Sequence, residues 1–171
     1  QGALDLNGAL TRGSIKALDF TGRMGVKDGN ELAMVLIMDR FDLSLVNPYI
    51  PGGISDIGGE VTGNVALTGT LGAPELNGRL DVENAGLKID YLNTRYTFSN
   101  EVIIAPDMFT IDHAVVSDEE GHTAKMGATI IHHRLKDWNY DIWGTMKNML
   151  VLNTTEDLNG LYYGKAYATG D

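Results

Sequence analysis

From Gly58 to Asn84 the chain reads GGEVTGNVALTGTLGAPELNGRLDVEN, and apolar and polar positions alternate over almost all of it. Val61, Gly63, Val65, Leu67, Gly69 and Leu71 share one parity, while Glu60, Thr62, Asn64, Thr68 and Thr70 share the other. Successive side chains on a strand point to opposite faces, so the pattern predicts a ribbon with one apolar and one wet face. Glycines fall on the apolar parity: Gly63, Gly69, and Gly78 among Leu76, Leu80 and Val82. Glycine has no side chain to pack, so this placement signals either close approach of a neighbouring backbone or room left in the face. A filled sheet with glycine opposite an aromatic ring, or at a bulge, gives the same pattern. Periodicity alone leaves both an apolar groove and a filled core open.

The alternation continues in both directions. Phe20, Gly22, Met24 and Val26 alternate with polar residues, and Asp28-Gly29-Asn30 then predicts a hairpin turn. Leu32 to Met38 is apolar on both parities and predicts the best covered strand. Phe41, Leu43 and Leu45 resume the rhythm until Pro48 and Pro51-Gly52-Gly53, with a short helix or turn expected around Ser44 to Ile50. Beyond Asn84 the apolar positions are Leu87, Ile89 and Tyr91, then Tyr96 and Phe98, Val102 and Ile104, and Phe109 and Ile111. After the polar loop Ser117 to His122 come Ala124, Met126, Ala128 and Ile130, then Trp138, Tyr140, Ile142, Gly144 and Met146. A helical period is nowhere sustained, and short, fairly regular turn spacing predicts an all-β sandwich, barrel or solenoid. No fixed repeat length is present.

Composition narrows the function classes. A chain of 171 residues with 43% hydrophobic content suits a single domain over 1–171. Its 21 glycines against four prolines fit a chain of many strands and turns. A net charge of -10 argues against nucleic acid as a partner, because that binding needs Lys and Arg on phosphates. It also argues against docking on an anionic lipid surface. Without cysteine there is no disulfide, thiolate metal site or thiol nucleophile. The longest apolar run, Leu32 to Met38, is far short of the roughly 20 residues that span a bilayer. Gln1 to Leu10 and Tyr163 to Asp171 both run in strand rhythm, which gives the expectation of a piece excised from a longer protein, with open strand edges prone to self-association.

Catalytic and metal chemistry finds little support. His132 and His133 are adjacent, so on a strand they face apart and cannot share one ion. Asp112-His113 could be a base and its orienter, but no nucleophile motif accompanies it. The loop Asp118 to Gly121 lacks the alternating oxygen ligands of a calcium loop and reads as a solvated hairpin tip. Asn153-Thr154-Thr155 fits a glycosylation acceptor that short chance matches also produce. The expectation is a protein without catalytic residues, bound metal or cofactor.

Gly63-x-Val65-x-Leu67-x-Gly69-Thr70-Leu71-Gly72-Ala73-Pro74-x-Leu76-x-Gly78-x-Leu80 resembles the TamB family of the AsmA-like group. Phe41-x-Leu43-x-Leu45 through Pro48-Tyr49, Ala85-Gly86-Leu87 with Tyr91-Leu92 and Tyr96-x-Phe98, and the stretch Leu161 to Gly170 are similar to further parts of it. The resemblance covers about residues 41 to 171. It implies an elongated, curved antiparallel or solenoid-like sheet, a β-taco, with an apolar concave groove. It implies a periplasmic protein of Gram-negative bacteria, anchored in the inner membrane and meeting a TamA- or BamA-like outer-membrane barrel protein through regions outside this chain. Its roles would be carrying phospholipid acyl chains between the membranes and supporting outer-membrane protein assembly or secretion. The groove lining would comprise Val61, Gly63, Val65, Leu67, Gly69, Leu71, Leu76, Gly78, Leu80, Val82, Leu87 and Ile89, then Met126, Ile130, Trp138, Tyr140, Ile142 and Met146. The alternative is a filled β-solenoid that serves as a structural or binding module.

Overall fold

Ten strands form one antiparallel sheet in which every strand pairs with its neighbours in sequence. The computed structural model describes residues 2–26, 30–50, 52–155 and 164–171. The strands are β1 (Ala3–Arg12), β2 (Ile15–Gly25), β3 (Leu32–Asp42), β4 (Ile54–Thr70), β5 (Ala73–Ile89), β6 (Thr94–Ala105), β7 (Met108–Asp118), β8 (Thr123–His133), β9 (Lys136–Thr154) and β10 (Gly164–Gly170). The sheet does not close: β1 and β10 are its two outermost strands. Of the expected Asp28-Gly29-Asn30 turn, Asp28 and Gly29 lie outside the described residues, as do Gln1 and Leu161 to Tyr163.

The expected short helix is a 3-10 helix over Leu43–Tyr49, between β3 and β4. Asp42 caps it by accepting the Ser44 N–H at 2.9 Å. Asn47 ties it to β4, donating from Nδ2 to the Ile57 carbonyl at 2.8 Å and accepting the Ile57 N–H at 2.9 Å. These bonds set Leu43 against the best buried cluster of the sheet, Val61, Val82 and Ala85.

Register places the apolar residues of successive strands on one face. Leu36 pairs with Val65, Val65 with Gly78, and Gly78 with Ile104; farther along, Ile130 pairs with Tyr140 and Ala128 with Ile142. Among the described residues the opposite face has no second layer. Leu32 to Met38 therefore departs from its expected double coverage: Val35 and Ile37 are exposed on the outer face. The apolar run on both parities marked strand propensity, and only one parity is covered, with Leu32 buried and Met34, Leu36 and Met38 half-buried.

A line of bulges crosses the middle of the sheet. Arg40, Asn84 and His113 adopt positive φ, and register slips at Met38/Phe41, Val82/Ala85, Ser99/Val102 and Ile111/Ala114. A bulge bends its strand and leaves a backbone group without a ladder partner. Neighbouring strands supply those partners: Thr62 Oγ1 accepts the Arg40 N–H at 3.1 Å, Ser99 Oγ accepts the Asn84 N–H at 2.8 Å, and Asn100 Nδ2 donates to the Asp112 carbonyl at 2.8 Å. These irregularities recur from β3 to β7 across the sheet.

Candidate functional site

The apolar face is filled at one end and open at the other. Around β3 to β6, Val61, Val82 and Ala85 are buried, with Met38, Leu43, Leu80, Phe98 and Val102 packed against them. From β5 to β9 the face opens into a cavity of about 420 Å³. Leu87 and Ile89 of β5, Tyr96 and Phe98 of β6, and Ile111, Ala114 and Val116 of β7 form one part of its wall. Met126, Gly127 and Ala128 of β8 and Ile142, Met146, Met149 and Val151 of β9 form the rest. No charged side chain lines it.

The residues expected to line a groove divide accordingly. Leu87, Ile89, Met126, Ile142 and Met146 line the cavity. Val61, Val65, Leu67, Leu76, Leu80 and Val82 share the same face, with Val61, Val65 and Val82 buried. Ile130, Trp138 and Tyr140 continue that face toward the β8–β9 turn, and Tyr140 is 65% exposed. Leu71 is a correction: it sits in the turn between β4 and β5, exposed, and donates its N–H to the Asn30 carbonyl at 3.2 Å. Alternation ended one residue before it, at Thr70.

Gly63 and Gly78 mark close approach, not open room. A Cβ on Gly63 would collide with the Arg79 carbonyl oxygen, and one on Gly78 with the Asn64 carbonyl oxygen. Gly69 lies on the same face beside the turn, at φ +82.

The wall positions Ala114, Val116, Met149 and Val151 escape a strict parity reading, because bulges reset the alternation. Ile111 and Ala114 are three residues apart across the bulge at Asp112-His113, and Met146 and Met149 are three apart across Asn148, itself at positive φ. Asp112-His113 is thus part of the bending line; its exposed side chains pair at 2.5 Å. His132 and His133 face apart, His132 being 3% exposed beside Phe109 and Trp138 and His133 exposed. Among the described residues no cluster of three or more His, Cys, Asp or Glu could hold a metal ion.

Glu119, Glu120 and Gly121 of the acidic loop are exposed, as expected of a solvated tip, but Asp118 is not. Asp118 has no exposed side-chain surface. Its Oδ1 accepts the Glu120 and His122 N–H groups, both at 2.9 Å; its Oδ2 accepts the Leu150 N–H at 2.7 Å and meets His122 Nδ1 at 3.0 Å. Burial pushes the carboxyl up, and the hydrogen bonds, led by that from Leu150, more than offset it, so the group lies below the ordinary carboxylate range. An aspartate four residues before a histidine gave no sequence signal for this, because the fourth donor comes from β9.

That donor reaches Asp118 because β9 outruns β8. Ala124, next to the start of β8, pairs with Met146, and β9 continues to Thr154. The extension crosses the ends of β7 and β6. Tyr96 OH donates to the Leu150 carbonyl at 2.8 Å, the Asn153 N–H donates to the Leu92 carbonyl at 2.9 Å, and Asn93 Nδ2 donates to the Asn153 carbonyl at 2.6 Å. Leu150 is 0% exposed. β10 backs the extension by pairing from Thr154 to Met146, and its Lys165 and Tyr167 bond to Glu120.

No family model, curated protein or solved structure matches the chain.

Proposed function

We propose that the open part of the groove binds the acyl chains of phospholipids, and that the chain is a segment of a TamB-like β-taco. The observation that carries this reading is a cavity of about 420 Å³ on the concave side of a single sheet, walled without any charged side chain. The volume lies within the roughly 300–1,000 Å³ of small-ligand sites. Each methylene taken from water is worth about 0.8 kcal/mol, so such a wall holds an acyl chain without hydrogen bonds. Its lining of aliphatic, Met and aromatic side chains has few polar groups that would select one lipid, which suits sliding more than tight capture. On this reading the protein works in the periplasm as part of an inner-membrane-anchored chain. It passes phospholipid toward an outer membrane whose TamA- or BamA-like barrel protein it meets, and supports protein assembly there.

The filled cluster of Val61, Val82 and Ala85 favours a second reading for the β3–β6 end: a packed structural module that carries nothing. Lipid extraction and native mass spectrometry on purified protein separate the two. Co-purifying phospholipid, lost when Ile142 is replaced by arginine, supports the groove. Protein that is lipid-free and stays so in the presence of phospholipid vesicles supports the filled module.

A further inference from the structure

We propose that the β9 extension, Asn148 to Thr154, is a latched roof over the groove, which retains one acyl chain beneath it and exchanges that chain only when the latch along the rim releases. The proposal rests on the acyl-binding reading above and adds how that site is closed. Two sides of the extension do different work. Met149 and Val151 face the cavity and form part of its wall. The backbone is tied to the rim by polar bonds that come from three separate elements: Asp118 at the end of β7, Tyr96 in β6, and Leu92 and Asn93 in the β5–β6 turn. Asn153 Nδ2 adds a bond to Glu119 at 2.5 Å.

The placement of the hinge fits a moving element. Asn148, exposed and at positive φ, joins the extension to the paired part of β9, and its N–H is held by Thr169 Oγ1 of β10 at 2.8 Å. β10 pairs with the extension and, past Asn148, with Met146, so it backs the roof on both sides of that point. Polar bonds at a rim can be exchanged for water when they open, while lifting the extension also exposes Met149 and Leu150, 3% and 0% exposed, so opening is costly and the roof retains what lies beneath it. The largest apolar anchor is Leu150, and its own N–H and carbonyl are the groups that Asp118 and Tyr96 hold. Asp118 is the centre of the latch because it alone gathers the roof and the β7–β8 loop on one carboxylate.

The test uses dansyl-undecanoic acid, loaded on the full chain and chased with excess oleate in a stopped-flow instrument, with amide exchange of Leu150 followed in parallel. Asp118→Asn keeps the shape and removes the charge that accepts the Leu150 N–H. A bond to a charged acceptor is worth enough that release should quicken about tenfold or more. Asn153→Ala removes only the bond to Glu119 and should quicken release a few-fold, so the proposal stays open to test even where Asp118→Asn does not fold. Faster release accompanied by faster Leu150 exchange supports the roof. Unchanged release from folded variants overturns the roof and leaves the groove standing. A wild-type protein that binds no probe defeats the groove reading, and the roof with it.

Discussion

Arginine substitution at two positions of the same face distinguishes an open wall from a packed interior. Val61 is 3% exposed within the Val82–Ala85 cluster, and Ile142 is 60% exposed on the cavity wall. Val61→Arg forfeits about 1.5–3 kcal/mol of apolar burial. It also strands a charge without a partner, at about 3–5 kcal/mol. The sum rivals the whole stability of a typical domain, about 5–15 kcal/mol. Ile142 has less than half its surface to lose, about 1 kcal/mol, and an arginine there can lay its stem on the wall with its head in water. For a chain of this size 1 kcal/mol moves Tm by about 2–4 °C. Circular dichroism melts should therefore show Ile142→Arg folded and slightly less stable, and Val61→Arg unfolded or more than about 10 °C lower. Binding of an acyl probe should fall sharply in folded Ile142→Arg, because the arginine stem then covers the wall that an acyl chain would occupy and its hydrated head obstructs the opening. An Ile142→Arg variant that fails to fold, or that binds the probe as the wild type does, refutes the open wall.

The acid limb of stability should report Asp118. Its folded pKa is depressed, so its contribution is complete above the unfolded value of about 3.9 and is lost as pH falls through the lower folded value. Protection of the amides over Asn148 to Thr154, taken relative to their intrinsic exchange rate at each pH, should hold from pH 8 to about 4 and fall below that, and Asp118→Asn should flatten the change. Thr94 buries its hydroxyl without a hydrogen-bond partner among the described residues, so Thr94→Val should raise Tm; an unchanged or lower Tm would point to a water bound there. β1 has one open edge, and β10 leaves Lys136 to Thr145 of β9 without a strand on their outer side among the described residues. Sedimentation velocity should show concentration-dependent association through these edges. A monomer at every concentration would contradict it.

Much of the fold was legible because a single-layer antiparallel sheet writes its face directly into alternating residues. Val61 to Leu67 and Leu76 to Val82 fell on one face because no bulge interrupts either run, and the 3-10 helix was marked by the breakers after Leu45. The cavity was only half legible. Ile111 and Ala114, or Met146 and Met149, break the alternation across a bulge, and nothing local announces which residue will take positive φ. Gly63 and Gly78 pointed to close approach or to room equally well, and only the opposing carbonyls of Arg79 and Asn64 decide it. Asp118 looked like part of a wet loop because its partner, the Leu150 N–H, lies 32 residues away. Strand length was equally hidden: nothing local in Asn148 to Thr154 announces that β9 overruns β8.

Acyl chains in the groove are tested most directly by photo-crosslinking. A photoreactive residue placed singly at Met126 or Ile142 on the cavity wall, and at Lys125 or Asp141 on the outer face, is irradiated in the presence of phospholipid, and adducts are read by mass. The account predicts lipid adducts at the two wall positions and none at the outer pair. Adducts spread equally over both faces, or absent from Met126 and Ile142 in folded protein, would contradict it.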